Sequence, residues 1–377
     1  MKRVLSILLA AALLAPCVHA APAGLQVNAA SAVLMEKETG TVLYQNNAHE
    51  KLEPASVTKI MTLLLIMEAL DSGRITKEDM VSTSAYAASM GGSQVFLEEG
   101  EQMSVHDLLK CIAVSSANDA AVAMAEHLAG SEATFVDKMN QRAAELGMAD
   151  THFSNCTGLP VAEHYTSAHD IALMSRQLIL HHPDIQTYTT IWMDSIRGGS
   201  FGLSNTNRLI RFYNGATGLK TGFTDSALYC LSATAERDGM ELIAAVMKSP
   251  TSDDRFQATK TLLDYGFANY TLTTVHPDQA LAPVEVLLGE TNQVQPQLSR
   301  DCRLLLSRDS AGQITTELSV AQDVEAPVEE GQQLGQMIVR VNGEVRDTVP
   351  IVASQSVKRL SMAGIFSRML RRMLMAG

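Results

Sequence analysis

The chain has 377 residues, more than one ordinary compact core holds, so two domains are expected. Apolar residues make up 46% and charged residues 19%, the balance of a globular protein and not of a disordered or fibrous one. A formal charge of −12 argues against nucleic acid as a partner, because no basic face could neutralise many phosphates.

Lys2 and Arg3 precede an apolar run over residues 4–14, and Val18-His19-Ala20 offers a cleavage site. Residues 1–20 therefore read as a secretory signal peptide. The run is shorter than the roughly 20 apolar residues that cross a bilayer. Export leaves Cys111, Cys156, Cys230 and Cys302, with no CxxC pair and no metal-like spacing. A disulfide is permitted outside the cytoplasm, but buried apolar thiols are the simpler expectation.

Residues 31–46 alternate apolar and polar around Glu38-Thr39-Gly40, which predicts a β-hairpin. Residues 57–70 are apolar almost all round, as in a buried helix. Residues 104–128 form two amphipathic helices broken at Ser115-Ser116. Another helix spans 132–146 and stops at Gly147, and one over 167–181 stops before Pro183. Residues 218–235 read as one strand and 241–248 as another, joined through Asp238-Gly239. Ser252 or Asp253 then caps a helix reaching Tyr265. This order predicts an α+β domain over residues 21–275, an antiparallel sheet covered by helices.

The composition shifts near Pro277. Residues 280–355 carry short β-type runs with frequent Gly and Pro, which predicts a small all-β domain, a sandwich. Over residues 356–377 the helical period puts Met362, Phe366, Met369, Leu370 and Met373 on one face. Arg368, Arg371 and Arg372 take the other, behind Lys358 and Arg359. A basic amphipathic helix of this kind lies in the headgroup layer of an anionic membrane. The chain has no internal repeat.

Three short motifs carry chemistry. In Ser56-Val57-Thr58-Lys59 the serine and lysine stand one helical turn apart on one face. A serine hydroxyl needs a base to become a nucleophile, and a lysine becomes one when burial and a neighbouring cation lower its pKa. In Ser116-Ala117-Asn118, at the helix break, Ser116 can relay a proton and the Asn118 amide can hold Lys59 and a substrate carbonyl. Lys220-Thr221-Gly222 lies on a strand, where Lys220 and the Thr221 hydroxyl suit a terminal carboxylate. Gly222 lets a peptide approach the strand edge. The backbone N–H groups of Phe223 and Ser56 would form an oxyanion hole. Each motif alone has an ordinary reading: a chance spacing, a helix cap, a surface lysine before a turn. Their order, each on the element its role requires, favours a single acyl-transfer site.

Gly198-Gly199-Ser200-Phe201-Gly202 matches the GxSxG elbow of another hydrolase class, but a loop-like stretch follows it where a helix is needed. His164 and His169 lack zinc-helix spacing, and no phosphate-binding glycine loop occurs. No metal and no organic cofactor is called for.

The trio is the one found in penicillin-binding proteins and class A β-lactamases. With Gly40-Thr41-Val42-Leu43-Tyr44, residues 53–62 and residues 218–224 around the motifs, the chain resembles the D-alanyl-D-alanine carboxypeptidases, low-molecular-mass penicillin-binding proteins, over nearly its whole length. The resemblance implies that Ser56 attacks the bond between the two terminal D-alanines of a peptidoglycan stem peptide and that water releases the acyl-enzyme. It implies that β-lactams acylate the same serine, that Arg255 flanks the carboxylate pocket, and that the enzyme works on the outer face of the cytoplasmic membrane. Ala117 stands where many members have glycine. The alternatives are a β-lactamase-like hydrolase, for which no water-holding glutamate is evident, and a non-catalytic wall-binding protein, which would not need the intact motif residues.

Overall fold

The computed structural model describes residues 25–310 and 312–366. The expected signal peptide, and the tail beyond Phe366 with Arg368, Met369, Leu370, Arg371, Arg372 and Met373, lie outside the described residues. The chain divides into two units, 1–268 and 269–377.

The first unit is built on a five-stranded antiparallel sheet. Strands β1 (Ser31–Glu36) and β2 (Val42–Asn46) are the predicted hairpin, and β3 (Ala216–Thr224), β4 (Leu228–Arg237) and β5 (Met240–Ser249) complete it in the order β2-β1-β5-β4-β3. Residues 218–235 are thus two strands and not one. Thr224 Oγ1 accepts the Ala227 N–H at 3.0 Å and closes a tight turn between them. Strand β1 is buried along its whole length because both faces of the sheet are covered. Val33 and Met35 point into the main core with helix α1 (Lys59–Asp71). On the other face, helix α7 (Ser252–Asn269) lays Gly266 against Leu34 and Leu242, too close for any larger residue.

Other helices of this unit include α2 (Val105–Ser115), α3 (Asn118–Ala129), α4 (Glu132–Glu145), α5 (Ala168–His181) and the single turn α6 (Leu209–Phe212). Their starts follow the sequence: Ser104, Ser131 and Ser167 each accept a backbone N–H as N-caps. The start of α7 is capped instead by Thr251, whose Oγ1 accepts the Asp254 N–H at 3.1 Å and donates to the Asp254 carboxylate at 2.7 Å. Ser200 sits in a hairpin turn between Met193–Ile196 and Phe201–Ser204, not on a strand-to-helix elbow.

The second unit is all-β, as predicted, with sheets of two, three and four strands around two apolar clusters. Its first strand, Tyr270–Val275, pairs with Cys302–Ser307. The unit therefore starts before the composition shift at Pro277. A helical turn begins at Met362, and Met362 and Phe366 are exposed. No helix among the described residues is long and apolar enough to cross a membrane. Cys111, Cys156, Cys230 and Cys302 are buried free thiols.

Candidate active site

Ser56 lies in a one-turn 3-10 helix, Ala55–Thr58, immediately before α1. It is therefore not on the α-helix itself, and three-residue spacing in a 3-10 turn brings Lys59 directly over it. Lys59 Nζ stands 3.1 Å from Ser56 Oγ. The amine also donates to Asn118 Oδ1 at 2.5 Å and to Thr157 O at 2.7 Å. A neutral amine has two N–H groups and one lone pair. The two carbonyl oxygens engage both N–H groups, which leaves the lone pair for the Ser56 hydroxyl. Burial lowers the Lys59 pKa to about 7, against smaller opposing effects of Cys156 and Asp119.

The turn is locked from behind. Thr58 Oγ1 donates to Ala55 O at 2.8 Å and is 2.8 Å from His164 Nε2, while His164 Nδ1 accepts the Ser154 N–H at 3.0 Å. Thr58 thus receives the Nε2 proton of a neutral imidazole, and burial pulls the His164 pKa down to about 4. Gly158, at φ +86°, passes so close to Ala55 O that no Cβ fits. Asn155 Oδ1 gathers the N–H groups of Thr157 at 3.1 Å and Gly158 at 2.6 Å, which delivers Thr157 O to Lys59.

The helix break places the second motif. Ser116 ends α2 with φ +63°, in the left-handed region, and Ala117 precedes α3 without a side-chain cap. Neither Ser116 nor Asn118 is spent on capping, and the Ser116 hydroxyl makes no hydrogen bond among the described residues. Asn118 Nδ2 donates to Gly91 O at 2.7 Å and its N–H to Ser93 O at 2.7 Å. Next to it the fully buried Asp119 accepts the N–H groups of Val95 at 3.1 Å and Leu97 at 3.0 Å. Arg197 Nη1 and Nη2 hold the carbonyls of Val95 and Phe96 at 2.9 and 3.0 Å. Segment 91–97 is thereby fixed against Asn118.

Strand β3 is the outer strand, paired only with β4, so alternate backbone groups face away from the sheet. A Cβ on Gly222 would stand 2.6 Å from Pro54 O and 3.1 Å from Ser56 N. The glycine here admits the serine's own backbone, a different reason from the approach of a peptide. Thr221 Oγ1 donates to Thr206 Oγ1 at 2.6 Å. Arg255, from α7, donates through Nη1 to Gly222 O at 3.1 Å, and its buried Nε has no partner among the described residues. Burial lowers the Lys220 pKa well below its usual value, and Lys59 and Arg255 lower it further; burial also brings Arg255 down to about 10. Phe223 is 48% exposed and packs on Tyr229 at 4.4 Å between centroids. Lys59, Lys220 and Arg255 are buried basic side chains without an ion pair among the described residues, a setting that an anionic ligand would complete. No metal-binding cluster occurs among the described residues.

Residues 17–251 match the family D-alanyl-D-alanine carboxypeptidase, and residues 270–359 match Penicillin-binding protein 5, C-terminal domain. The chain belongs to the D-alanyl-D-alanine carboxypeptidase family. It is 42% identical to the D-alanyl-D-alanine carboxypeptidase DacF of Bacillus subtilis (strain 168), with 98% of each chain covered. Penicillin binding protein 5 from Haemophilus influenzae superposes with a TM-score of 0.74 at 29% identity, over 89% of this chain and 98% of that one. The ampicillin-bound Penicillin-Binding Protein D2 from Listeria monocytogenes gives 0.57 at 34% identity, over 64% of this chain and 99% of that one. The protein is accordingly a peptidase of the carboxypeptidase type, with the catalytic unit and all-β unit of that family.

Proposed function

We propose that Ser56 is the nucleophile of a D-Ala-D-Ala carboxypeptidase that trims peptidoglycan stem peptides, and that Lys59 is its base. The observation that carries this is the 3.1 Å approach of Lys59 Nζ to Ser56 Oγ with both amine N–H groups held by carbonyls. The substrate lies along β3 as an added strand. Its terminal carboxylate meets Lys220, Thr221 and Arg255. Ser56 Oγ bonds to the carbonyl carbon of the penultimate D-alanine as Lys59 takes the hydroxyl proton. The oxyanion is held by the N–H groups of Ser56 and Phe223. Ser116 passes the proton to the departing amine, and the C–N bond breaks to release D-alanine. Lys59 then takes a proton from water, which attacks the ester and frees Ser56. β-Lactams acylate the same hydroxyl.

Supporting export are Lys2, Arg3 and the apolar run behind them. Supporting a peripheral membrane contact are the exposed Met362 and Phe366 and the basic residues that follow. Mass spectrometry after incubation with labelled penicillin tests the assignment: the label sits on the peptide containing Ser56, and Ser56→Ala releases no D-alanine from a pentapeptide. Label on another residue overturns it. Deletion of residues 357–377 followed by cell fractionation tests the anchor, which fails if the protein stays with membranes.

A further inference from the structure

A cavity of about 300 Å³ lies between α6 and the first half of α7. Its floor is Phe256, whose ring carries the guanidinium of Arg208 at 4.7 Å. Asp253 fixes that guanidinium at 2.9 Å. Phe212 forms the rim and is 64% exposed. Gln257 and Lys260 stand on the same face of α7 as Asp253 and Phe256. Lys260 has no ion pair among the described residues. Two cations and one carboxylate therefore line the cavity, a locally positive spot on a chain of net charge −12.

The cavity adjoins the cleft. Ser252 Oγ accepts from Arg208 Nη2 at 3.1 Å and from Arg255 Nη2 at 3.4 Å, and Arg255 reaches Gly222 O. Thr206, the partner of Thr221, is two residues before Arg208. Two side chains, Ser252 and Arg255, link the cavity-lining Arg208 to the backbone of that strand.

We propose that this cavity is a second recognition site, for a carboxylate-bearing part of the peptidoglycan outside the dipeptide that is cut. The proposal rests on the carboxypeptidase reading above. A carboxylate there meets the Lys260 ammonium and the tethered Arg208 fork. Gln257 adds an amide, and Phe212 offers an apolar surface to an alkyl chain or a sugar ring. The volume matches one amino-acid or sugar unit, the low end of ligand pockets.

The test uses the full chain and variants Lys260→Glu, Phe212→Ala and Lys260→Arg, none of them in the catalytic machinery. D-Alanine release is measured on an N-acylated tripeptide ending in two D-alanines, a free pentapeptide, a disaccharide pentapeptide and purified sacculi. Lys260→Glu and Phe212→Ala should raise KM roughly three- to tenfold on the larger substrates and leave the tripeptide unchanged. Lys260→Arg should behave as wild type. Loss already on the pentapeptide assigns the carboxylate to the stem, loss first on the disaccharide form to the glycan, and loss on sacculi alone to a neighbouring strand. Unchanged KM on every substrate, or an equal rise on the tripeptide, overturns the proposal. Penicillin uptake reports separately on the catalytic reading. Co-sedimentation with sacculi needs no turnover, so equal sedimentation of wild type and Lys260→Glu rejects the cavity even if catalysis is absent.

Discussion

With Lys59 as the proposed base, its burial sets how acylation responds to pH. A free lysine titrates near 10.4, so at pH 7 fewer than about one in a thousand carry a lone pair. Inside the protein burial brings Lys59 to about 7. That shift corresponds to about 5 kcal/mol of discrimination against the ammonium form, using about 1.4 kcal/mol per unit. The neutral fraction is then about nine-tenths at pH 8, one half at pH 7 and one-tenth at pH 6. The second-order rate of penicillin acylation should therefore fall about tenfold between pH 8 and pH 6, and another tenfold by pH 5, with unit slope. Stopped-flow measurement with a fluorescent penicillin at constant ionic strength reads it directly. Lys59→Arg should remove the rise, because a guanidinium does not give up its proton in this range, and should cost roughly 10²- to 10⁴-fold in rate. A flat profile, or an inflection near pH 4 where His164 titrates, would refute Lys59 as the base.

Other consequences are as direct. Gly222→Ala places a methyl 2.6 Å from Pro54 O, so it should displace the serine turn and slow acylation at least about tenfold while thermal unfolding drops by a few degrees; unchanged acylation would contradict the packing. Asp119→Ala leaves the Val95 and Leu97 N–H groups without their acceptor. Urea unfolding should show a loss of about 2–6 kcal/mol, from roughly 1–3 for each of the two orphaned groups, and acylation should slow as segment 91–97 loosens. His164 contributes a pH dependence of stability. Its folded pKa of about 4 lies below the unfolded value near 6.5, so between these pH values the unfolded chain binds more protons. Stability is complete above about pH 6.5 and falls by about 3 kcal/mol as pH drops to 4. His164→Gln should flatten that segment of the curve in denaturant titrations; an unaltered slope would rule out His164 as its source.

The helices and the first hairpin were legible because apolar period and serine caps agree with the final packing. Residues 218–235 read as one strand in sequence because Thr224-Asp225-Ser226-Ala227 turns without glycine or proline and is closed by a side-chain bond. The cap of α7 lies at Thr251, ahead of the expected Ser252 or Asp253, for a similar reason: three successive polar residues can cap, and the Thr251–Asp254 pair wins by bonding reciprocally. The three motifs are legible because each holds its residues within four consecutive positions. What supports them comes from far along the chain. Thr157 reaches Lys59 across 98 positions, and His164 reaches Thr58 across 106. Asn155 three residues before Gly158 is a turn signal that spacing could have offered. Nothing local marks His164 or Arg197.

On the proposed roles, the cluster of Lys59, Lys220 and Arg255 lets one site both bind an anion and supply a base. Burial disfavours the charged form of both lysines, and Lys59 and Arg255 lower Lys220 further. An empty cleft therefore holds less charge than its residue types suggest, which reduces the cost of burying them. A substrate carboxylate at Lys220 favours its ammonium form. The new positive charge beside Lys59 then disfavours a second one, so Lys59 is pushed toward the amine while its lone pair is needed at Ser56. On this arrangement a proton is taken up at Lys220 as the carboxylate arrives, and recognition of the substrate's end reinforces the basicity that opens its peptide bond.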